Sequence, residues 1–415
     1  MAGILKTVNG AFWSEYVWLP PNVTWEDVAP GSREGILTTD YRHLYIPLPM
    51  ALVLLTIRYC LEKYWFGPVG ISLGIKNSRP KKAPNNPVLE KAFLSNHKQL
   101  KHKHIQGLAK QLDFNLNFTQ IQGLAKQLDW SERQVERWLR LRRSQEKPTT
   151  LVKFTENAWR CLYYIFSFCY GLIILWDKPW LWNINECWNG YPFQSITNDS
   201  WWYYMFSLSF YWSLCVSQFF DNKRKDFWQM FVHHIATIIL MSFSWVCNLV
   251  RIGTLVLVTH DCADIFLEAA KMAKYAGYQR ICDAIFAFFT VLWIVTRLGV
   301  FPFWIIHNTT IVTPTLLPVF PAYYIFNGLL LLLLSLHIVW TYLILKIAYK
   351  ANGLLLLLLS LHIVWTYLIL KIAYKALMAG QMEGDIRSSS SNYSDSSKSQ
   401  NLMNGNKIGS SSPLR

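Results

Sequence analysis

Phe227-Trp-Gln-Met-Phe-Val-His-His-Ile-Ala-Thr-Ile-Ile-Leu-Met-Ser-Phe-Ser-Trp-Val-Cys247 is followed, across a short turn, by Arg251-Ile-Gly-Thr-Leu-Val-Leu-Val-Thr-His-Asp-Cys-Ala-Asp-Ile-Phe-Leu-Glu-Ala-Ala270. Each stretch approaches the ~20 mostly apolar residues that a helix needs to cross a bilayer core. Yet the first carries His233-His234 and the second His260-Asp261 with Asp264. Ionisable side chains in hydrocarbon are costly and rarely persist without a task. These two stretches therefore decide the fold, as adjacent antiparallel membrane helices, and mark where chemistry is expected.

Outward from this pair, apolar runs of similar length lie near 43–62, 153–176, 201–220, 282–305 and 323–345. With 227–247 and 251–270 they make about seven transmembrane helices. Hydrophobic residues form 52% of the chain and aromatics 16%, a composition that suits an all-α polytopic membrane protein better than a soluble enzyme. The links between spans sort by charge. Residues 63–152, 221–226 and 271–280 are basic, whereas 177–200, the turn near Cys247 and 306–322 hold few Lys or Arg. The positive-inside rule then puts the N-terminus in the lumen and the C-terminus in the cytosol. Asn22-Val-Thr24 agrees, as a glycosylation acceptor useful on the lumenal side. Residues 1–40 lack a signal peptide's basic start and apolar run, so the first span is expected to be the anchor.

The formal charge of +15, from 40 Lys+Arg against 25 Asp+Glu, suits anionic lipid, nucleic acid or a phosphate-bearing substrate. Basic cytosolic loops account for much of it. The eight Cys include no C-x-x-C spacing, so neither a zinc site nor a disulfide scaffold is indicated. Cys187 and Cys247 share the lumenal side in this topology and are read as loop thiols, with a bridge between them left open.

The expected organisation is a lumenal segment 1–42, an anchor 43–62, a cytosolic basic region 63–150, a membrane domain 151–350 and a Ser/Asn-rich disordered tail 377–415. Two copies break the pattern. Residues 105–113 recur verbatim as 121–129, and 327–351 recur as 352–376. Structural repeats diverge in sequence, so verbatim copies point to recent duplication or an error in the assembled gene. A spanning second copy would bring Lys371 and Lys375 out in the lumen, against the charge rule. Residues 352–376 are therefore read as a surplus helix without a catalytic part.

Within the basic region, residues 85–148 read as a small helical module. Asp129 or Ser131 caps its last helix, and Ser131-x-x-Gln134 makes a capping box. Val135, Trp138 and Leu139 share an apolar face, while Arg137, Arg140, Arg142 and Arg143 make the other face basic. Trp138-Leu-Arg-Leu-Arg-Arg143 resembles the recognition-helix core of a homeodomain, Trp-Phe-x-Asn-Arg-Arg. Leu141 stands where homeodomains place their adenine-reading asparagine. Sequence-specific nucleic-acid binding is not expected, and the arginines would reach phosphates at most. The first helix of that fold is poorly represented in the sequence.

Depth follows from a rise of about 1.5 Å per residue, which puts both His233 and Asp264 about 9 Å below one membrane face. His260 and Asp264 share a helix face, Asp261 lies beside them, and Glu268 continues the stripe. Three roles fit this set. A carboxylate-oriented His can act as nucleophile or general base. A His/Asp cluster can hold a metal, although the H-x-x-H-H boxes of membrane di-iron oxidases are missing. A buried polar pair can simply lock two helices. The first role is preferred, with no metal expected.

The surrounding residues narrow the choice. Asp221-x-Lys-Arg-Lys-Asp-Phe227, Phe231-Val-His-His234, Arg251-x-Gly-Thr-Leu-Val-Leu257, His260-Asp-x-Ala-Asp264 and Leu267-Glu-Ala-Ala-Lys-Met-Ala273 resemble the signature of ceramide synthases, the TLC-domain or longevity-assurance family. The resemblance runs from about 130 to 350, and the homeodomain-like segment is typical of most animal members. It implies an endoplasmic-reticulum enzyme that joins an acyl-CoA to the amine of sphinganine or sphingosine, with acyl-CoA as co-substrate and no cofactor. His233 would be nucleophile or general base and Asp264 its partner, with His234, His260 and Asp261 in support. Lys223, Arg224, Lys225, Lys271 and Lys274 lie where CoA phosphates would arrive. The link 306–322 is implied to help set acyl-chain length. Membrane lipid is a further partner, and a homo- or hetero-dimer stays open. The rival readings are a noncatalytic sphingolipid-binding TLC protein and a membrane-tethered DNA-binding regulator.

Overall fold

Helix forms wherever the apolar runs lie, and among the described residues there is helix and turn but no strand. The computed structural model describes residues 10–77, 82–95, 118–145, 148–221 and 227–351. Helix α1 is Pro47–Leu61, running on through π-helical Glu62–Phe66 into Gly67–Ser72. Three shorter helices follow: α2 at 87–95, α3 (Phe118–Leu128) and α4 (Glu132–Gln145). The large bundle comprises α5 (Thr150–Leu175), α6 (Asn198–Phe220), α7 (Phe227–Val246), α8 (Val250–Tyr275), α9 (Gln279–Trp293) and α10 (Pro321–Ala351). Residues Met1–Lys346 make one compact unit and Ile347–Arg415 another, of which the structure describes the end of α10.

Every span expected from the sequence has its helix, but the helices differ in polarity. Among the described residues, five candidate spans are long and apolar enough to cross a membrane: Tyr41–Ser72, Glu132–Leu175, Phe227–Val246, Gln279–Leu316 and Pro321–Tyr349. Helices α6 and α8, of 23 and 26 residues, are long enough but fall outside those five. The physical reason is visible in each. In α6, Ser209, Ser213 and Ser217 are buried and return their hydroxyls to Met205, Phe210 and Leu214 carbonyls, which satisfies them without water. Helix α8 carries the ionisable stripe and packs against α5, α9 and the π-helical continuation Ile294–Ile306. Polar interior helices enclosed by apolar neighbours suit a multi-pass membrane protein whose chemistry lies inside the bundle. Close packing of α6 on α8 depends on Gly253, where the Tyr204 ring occupies the space a Cβ would need.

The N-terminal segment is fastened across one end of α6 and α7. Trp18 packs on Phe243, Trp245 Nε1 donates to the Asp40 carbonyl, and Trp201 Nε1 donates to His43 Nδ1. At the same end, 177–197 is knitted by Asn248 Nδ2 donating to the Pro192 and Gln194 carbonyls. Cys187 and Cys247 are free and buried in this packing, rather than sitting in open loops. The expected link 306–322 is mostly helix as well, with π-helical Asn308–Val312 and Thr313–Leu316 leaving only 317–320 as connection. Its threonines make this so: Thr309 and Thr310 donate back to the Ile306 carbonyl and Thr313 to that of Asn308.

Helices α2–α4 bury a cluster of their own, with Leu89 and Phe93 meeting Val135, Trp138 and Leu139. Helix α2, barely legible in the sequence, is started by Asn86 Oδ1 accepting from the amides of Val88 and Leu89. Ser131 and Gln134 form the reciprocal capping box, and Asp129 ends α3 at φ +53°. Arg142 is turned inward: it meets Glu90 at 2.8–3.0 Å, because Glu90 is the carboxylate that α2 brings beside it. Arg137 and Arg140 remain on the surface, and Arg143 is half-buried. The copy 105–113 and residues 352–376 lie outside the described residues, as does the tail 377–415.

Candidate active site

A cavity of about 90 Å³ lies between α6, α7, α8 and α10, lined almost wholly by apolar side chains such as Leu240, Met241, Val256 and Leu333. Along α7 its wall runs from His233 to Ser244, about 16 Å at 1.5 Å per residue. The far end is closed in by aromatic and hydroxyl side chains, among them Trp188, Tyr191, Thr313 and Tyr323. Two imidazoles line the other end. His233 is the lining residue of α7 nearest Phe227, and His260 is the corresponding residue of α8.

His233 faces this cavity with Nδ1 buried and unpartnered, its ring edge-on to Trp340 at 5.3 Å between centroids. Tyr211 stands beside both His233 and His234. His234 points away, into α6: its Nδ1 lies 3.0 Å from Gln218 Oε1, and Gln218 donates in turn to the Phe227 carbonyl. The two adjacent histidines therefore differ in kind, one open to the cavity and one held by a second helix.

On α8 the side chains fan out. His260 Nδ1 lies 2.6 Å from the Val256 carbonyl, which fixes the proton there and leaves Nε2 as a buried lone pair. Asp261 accepts a 2.5 Å hydrogen bond from Ser167 Oγ on α5. Asp264 pairs with Arg297 at 3.2 Å, and the same guanidinium donates to the His260 carbonyl at 2.6 Å. Level depth with His233 thus did not bring Asp264 to that imidazole. A buried guanidinium offers a carboxylate a charge-assisted bond that a neutral ring cannot match, and depth alone says nothing of direction around the helix.

Toward Phe227 the bundle closes on ion pairs. Glu268 bonds Lys271 at 2.6 Å and approaches Arg160 at 3.5 Å, and Arg58 joins Glu62 at 2.8 Å to Asp221 at 3.1 Å. The second of these ties α1 to the end of α6. Lys271 is thereby engaged, Lys274 is exposed, and Lys223, Arg224 and Lys225 lie outside the described residues. Asn22 is exposed in the N-terminal segment. Among the described residues no group of three or more His, Cys, Asp or Glu is arranged to hold a metal ion.

Two residues of this site were not singled out from the sequence. Arg297 lies in the π-helical run, and His337 in α10, where it is 1% exposed with its ring 5.0 Å from that of His260. Both satisfy the rule that pointed to His233, being ionisable groups in apolar spans, but neither sits in the signature stretch.

The chain is similar to known proteins over most of its length. A family profile described as TLC domain matches residues 153–346. Human ceramide synthase 5 is 44% identical over 349 residues, which cover 84% of this chain and 85% of that protein. Human ceramide synthase 3 is 44% identical over 335 residues, 81% of this chain and 82% of the relative. The ceramide synthase hyl-1 of Caenorhabditis elegans is 31% identical over 353 residues, covering 82% and 80%.

Proposed function

This chain belongs to the ceramide synthase family of TLC-domain proteins, and from that premise we propose that its cavity is an acyl-transfer site. The reaction is transfer of a fatty acyl group from acyl-CoA to the amine of a sphingoid base, giving dihydroceramide or ceramide and free CoA. The observation that carries it is His233, whose imidazole lines one end of a largely apolar cavity with its Nδ1 unpartnered.

An apolar tunnel suits a long acyl chain, and a histidine at its mouth meets the thioester carbon of a chain lying along it. As nucleophile, His233 forms a C–N bond to the acyl carbon while the C–S bond breaks and CoA leaves as thiolate. The sphingoid amine then attacks the acyl-imidazole, forming the amide and returning the imidazole; its proton passes to the thiolate or to solvent. As general base, His233 would instead take that proton during direct attack on the thioester. Asp264 acts through Arg297, which it holds against the His260 carbonyl and whose charge lies within reach of His233. A positive charge there stabilises an oxyanion or a departing thiolate. Asp261 and His234 brace α8 and α7 against α5 and α6. Burial keeps water from the acylated enzyme.

The orientation proposed is seven spans in the endoplasmic-reticulum membrane, N-terminus lumenal with a glycan on Asn22, and the Phe227 end cytosolic. That end brings Lys274 and the basic 221–226 segment to the CoA phosphates. The three-helix module at 87–145 would then lie in the cytosol as a homeodomain-like domain without base reading. N-acylation of sphinganine by purified protein tests the reading. His233→Ala is expected to abolish turnover in protein that remains folded, and unchanged turnover would exclude the mechanism. Mass spectrometry after mixing with acyl-CoA alone separates the two roles, since only a nucleophile gains an acyl group.

A further inference from the structure

His260 and His337 each keep a buried ring nitrogen without a partner, on facing helices, at the end of the cavity where His233 stands. Leaving a buried polar atom unsatisfied costs stability, so two such atoms on neighbouring rings point to a ligand that completes them. The chemistry of the pair is specific. His260 donates Nδ1–H to the Val256 carbonyl and therefore offers Nε2 only as an acceptor. His337 Nδ1 carries no bond, so that ring can present it as N–H. Its surroundings hold it still: Phe301 at 5.3 Å, Trp293 at 5.9 Å and Trp340 at 6.3 Å pack round the ring, and Thr341 Oγ1 donates to its carbonyl.

An acceptor and a donor on rings 5.0 Å apart match a hydroxyl group, which gives one hydrogen bond and takes one. A carbonyl or ether oxygen would leave the His260 lone pair facing another lone pair, and a methylene would leave both nitrogens unpaired. Acyl-CoA in its simplest form brings no hydroxyl to this depth, whereas a sphingoid base carries two beside its amine. Resting on the acyl-transfer reading, we propose that His260 and His337 form a hydroxyl clamp that binds the sphingoid base and turns its amine toward His233. His337 is then a substrate-binding residue of the site.

The placement supports this role. His337 lies one turn beyond Leu333, the cavity-lining residue of α10 nearest it, and Trp340 touches both His337 and His233. A base held at the clamp has its head beside the reacting histidine and its chain free to follow the apolar wall.

The test compares sphinganine with its 1-deoxy and 3-deoxy analogues at saturating acyl-CoA, using the full chain and His337→Leu. The wild type is expected to favour sphinganine over one analogue by about tenfold in kcat/KM, the worth of a lost buried hydrogen bond or two. His337→Leu should lose that preference through a raised KM for the intact base, with KM for acyl-CoA unchanged, and His337→Asn should restore part of it through its amide N–H. The analogue that discriminates identifies the hydroxyl. Equal use of all three bases by the wild type overturns the clamp even if His337→Leu does not fold. So does a His337→Leu protein that keeps the preference, or one that loses activity equally on all three bases. Absence of any N-acylation by the wild type overturns the acyl-transfer reading instead.

Discussion

Arg297 is a guanidinium 3% exposed, paired with Asp264 and hydrogen-bonded to the backbone of His260. Removing one partner of such a pair leaves an uncompensated buried charge, which is the expensive outcome, whereas removing both relieves it. Asp264→Asn and Arg297→Gln should therefore each lower turnover by tenfold or more, and the double variant should be no worse than the poorer single one. A double-mutant cycle on kcat/KM reads this coupling directly, and additive losses would show that the two act apart. At this scale the sequence was legible where an ionisable group interrupts an apolar run, as at His233, His260, Asp261 and Asp264. What it withheld was the partner of each. Asp264 finds Arg297 and Asp261 finds Ser167 because the π-helical continuation of α9 and helix α5 pack where they do, and spacing along one chain segment carries no such direction.

At the scale of elements, α8 meets α6 through Gly253, whose missing side chain makes room for Tyr204, itself hydrogen-bonded to Ser244. Gly253→Ala should force that ring to shift and cost about 1–3 kcal/mol, seen as a lower thermal midpoint in detergent. A variant with unaltered midpoint would show that the interface can yield. The α2–α4 module makes a different prediction, about pH. The Arg142 guanidinium beside Glu90 holds that carboxyl below the usual carboxylate range. A depressed carboxylate stabilises the fold above its unfolded pKa of about 4.3 and loses that contribution as pH falls through the lower folded value. The protection factors of α4 amides, which are exchange rates corrected for intrinsic pH dependence, should thus be constant from neutral pH down to about 5 and fall below about 4, and Glu90→Gln should remove that dependence. The helices themselves were legible from apolar length, α2 and the 306–316 stretch less so. Asn86 and the threonines at 309, 310 and 313 settle those two cases through hydrogen bonds that composition does not announce.

On the scale of the whole molecule, the compact unit ends at Lys346 and the TLC-domain match at residue 346, just before the second verbatim copy begins. A chain stopped after Ala351 should retain N-acylation and membrane insertion, and loss of either would give the second copy a role. Apolar length made the places of the helices legible, since a helix stands at each of the seven expected stretches, and five candidate spans among the described residues are apolar enough to cross a membrane. The polarity of α6 and α8 was less so, because an interior helix need not look like a span when its neighbours face the lipid. One further property belongs to the molecule as a whole. The π-helical run Ile294–Ile306 carries Arg297 in its first turn and leads at its other end to Asn308, which receives Trp188 Nε1 and donates to Asn185 Oδ1. A π turn is an α turn with a residue to spare, so the run sets the phase between those two ends. Deleting one residue there would rotate one end against the other, and the enzyme would have to give up either its buried arginine or the closure of its far end. That stretch of backbone works as a ruler whose length is counted in residues.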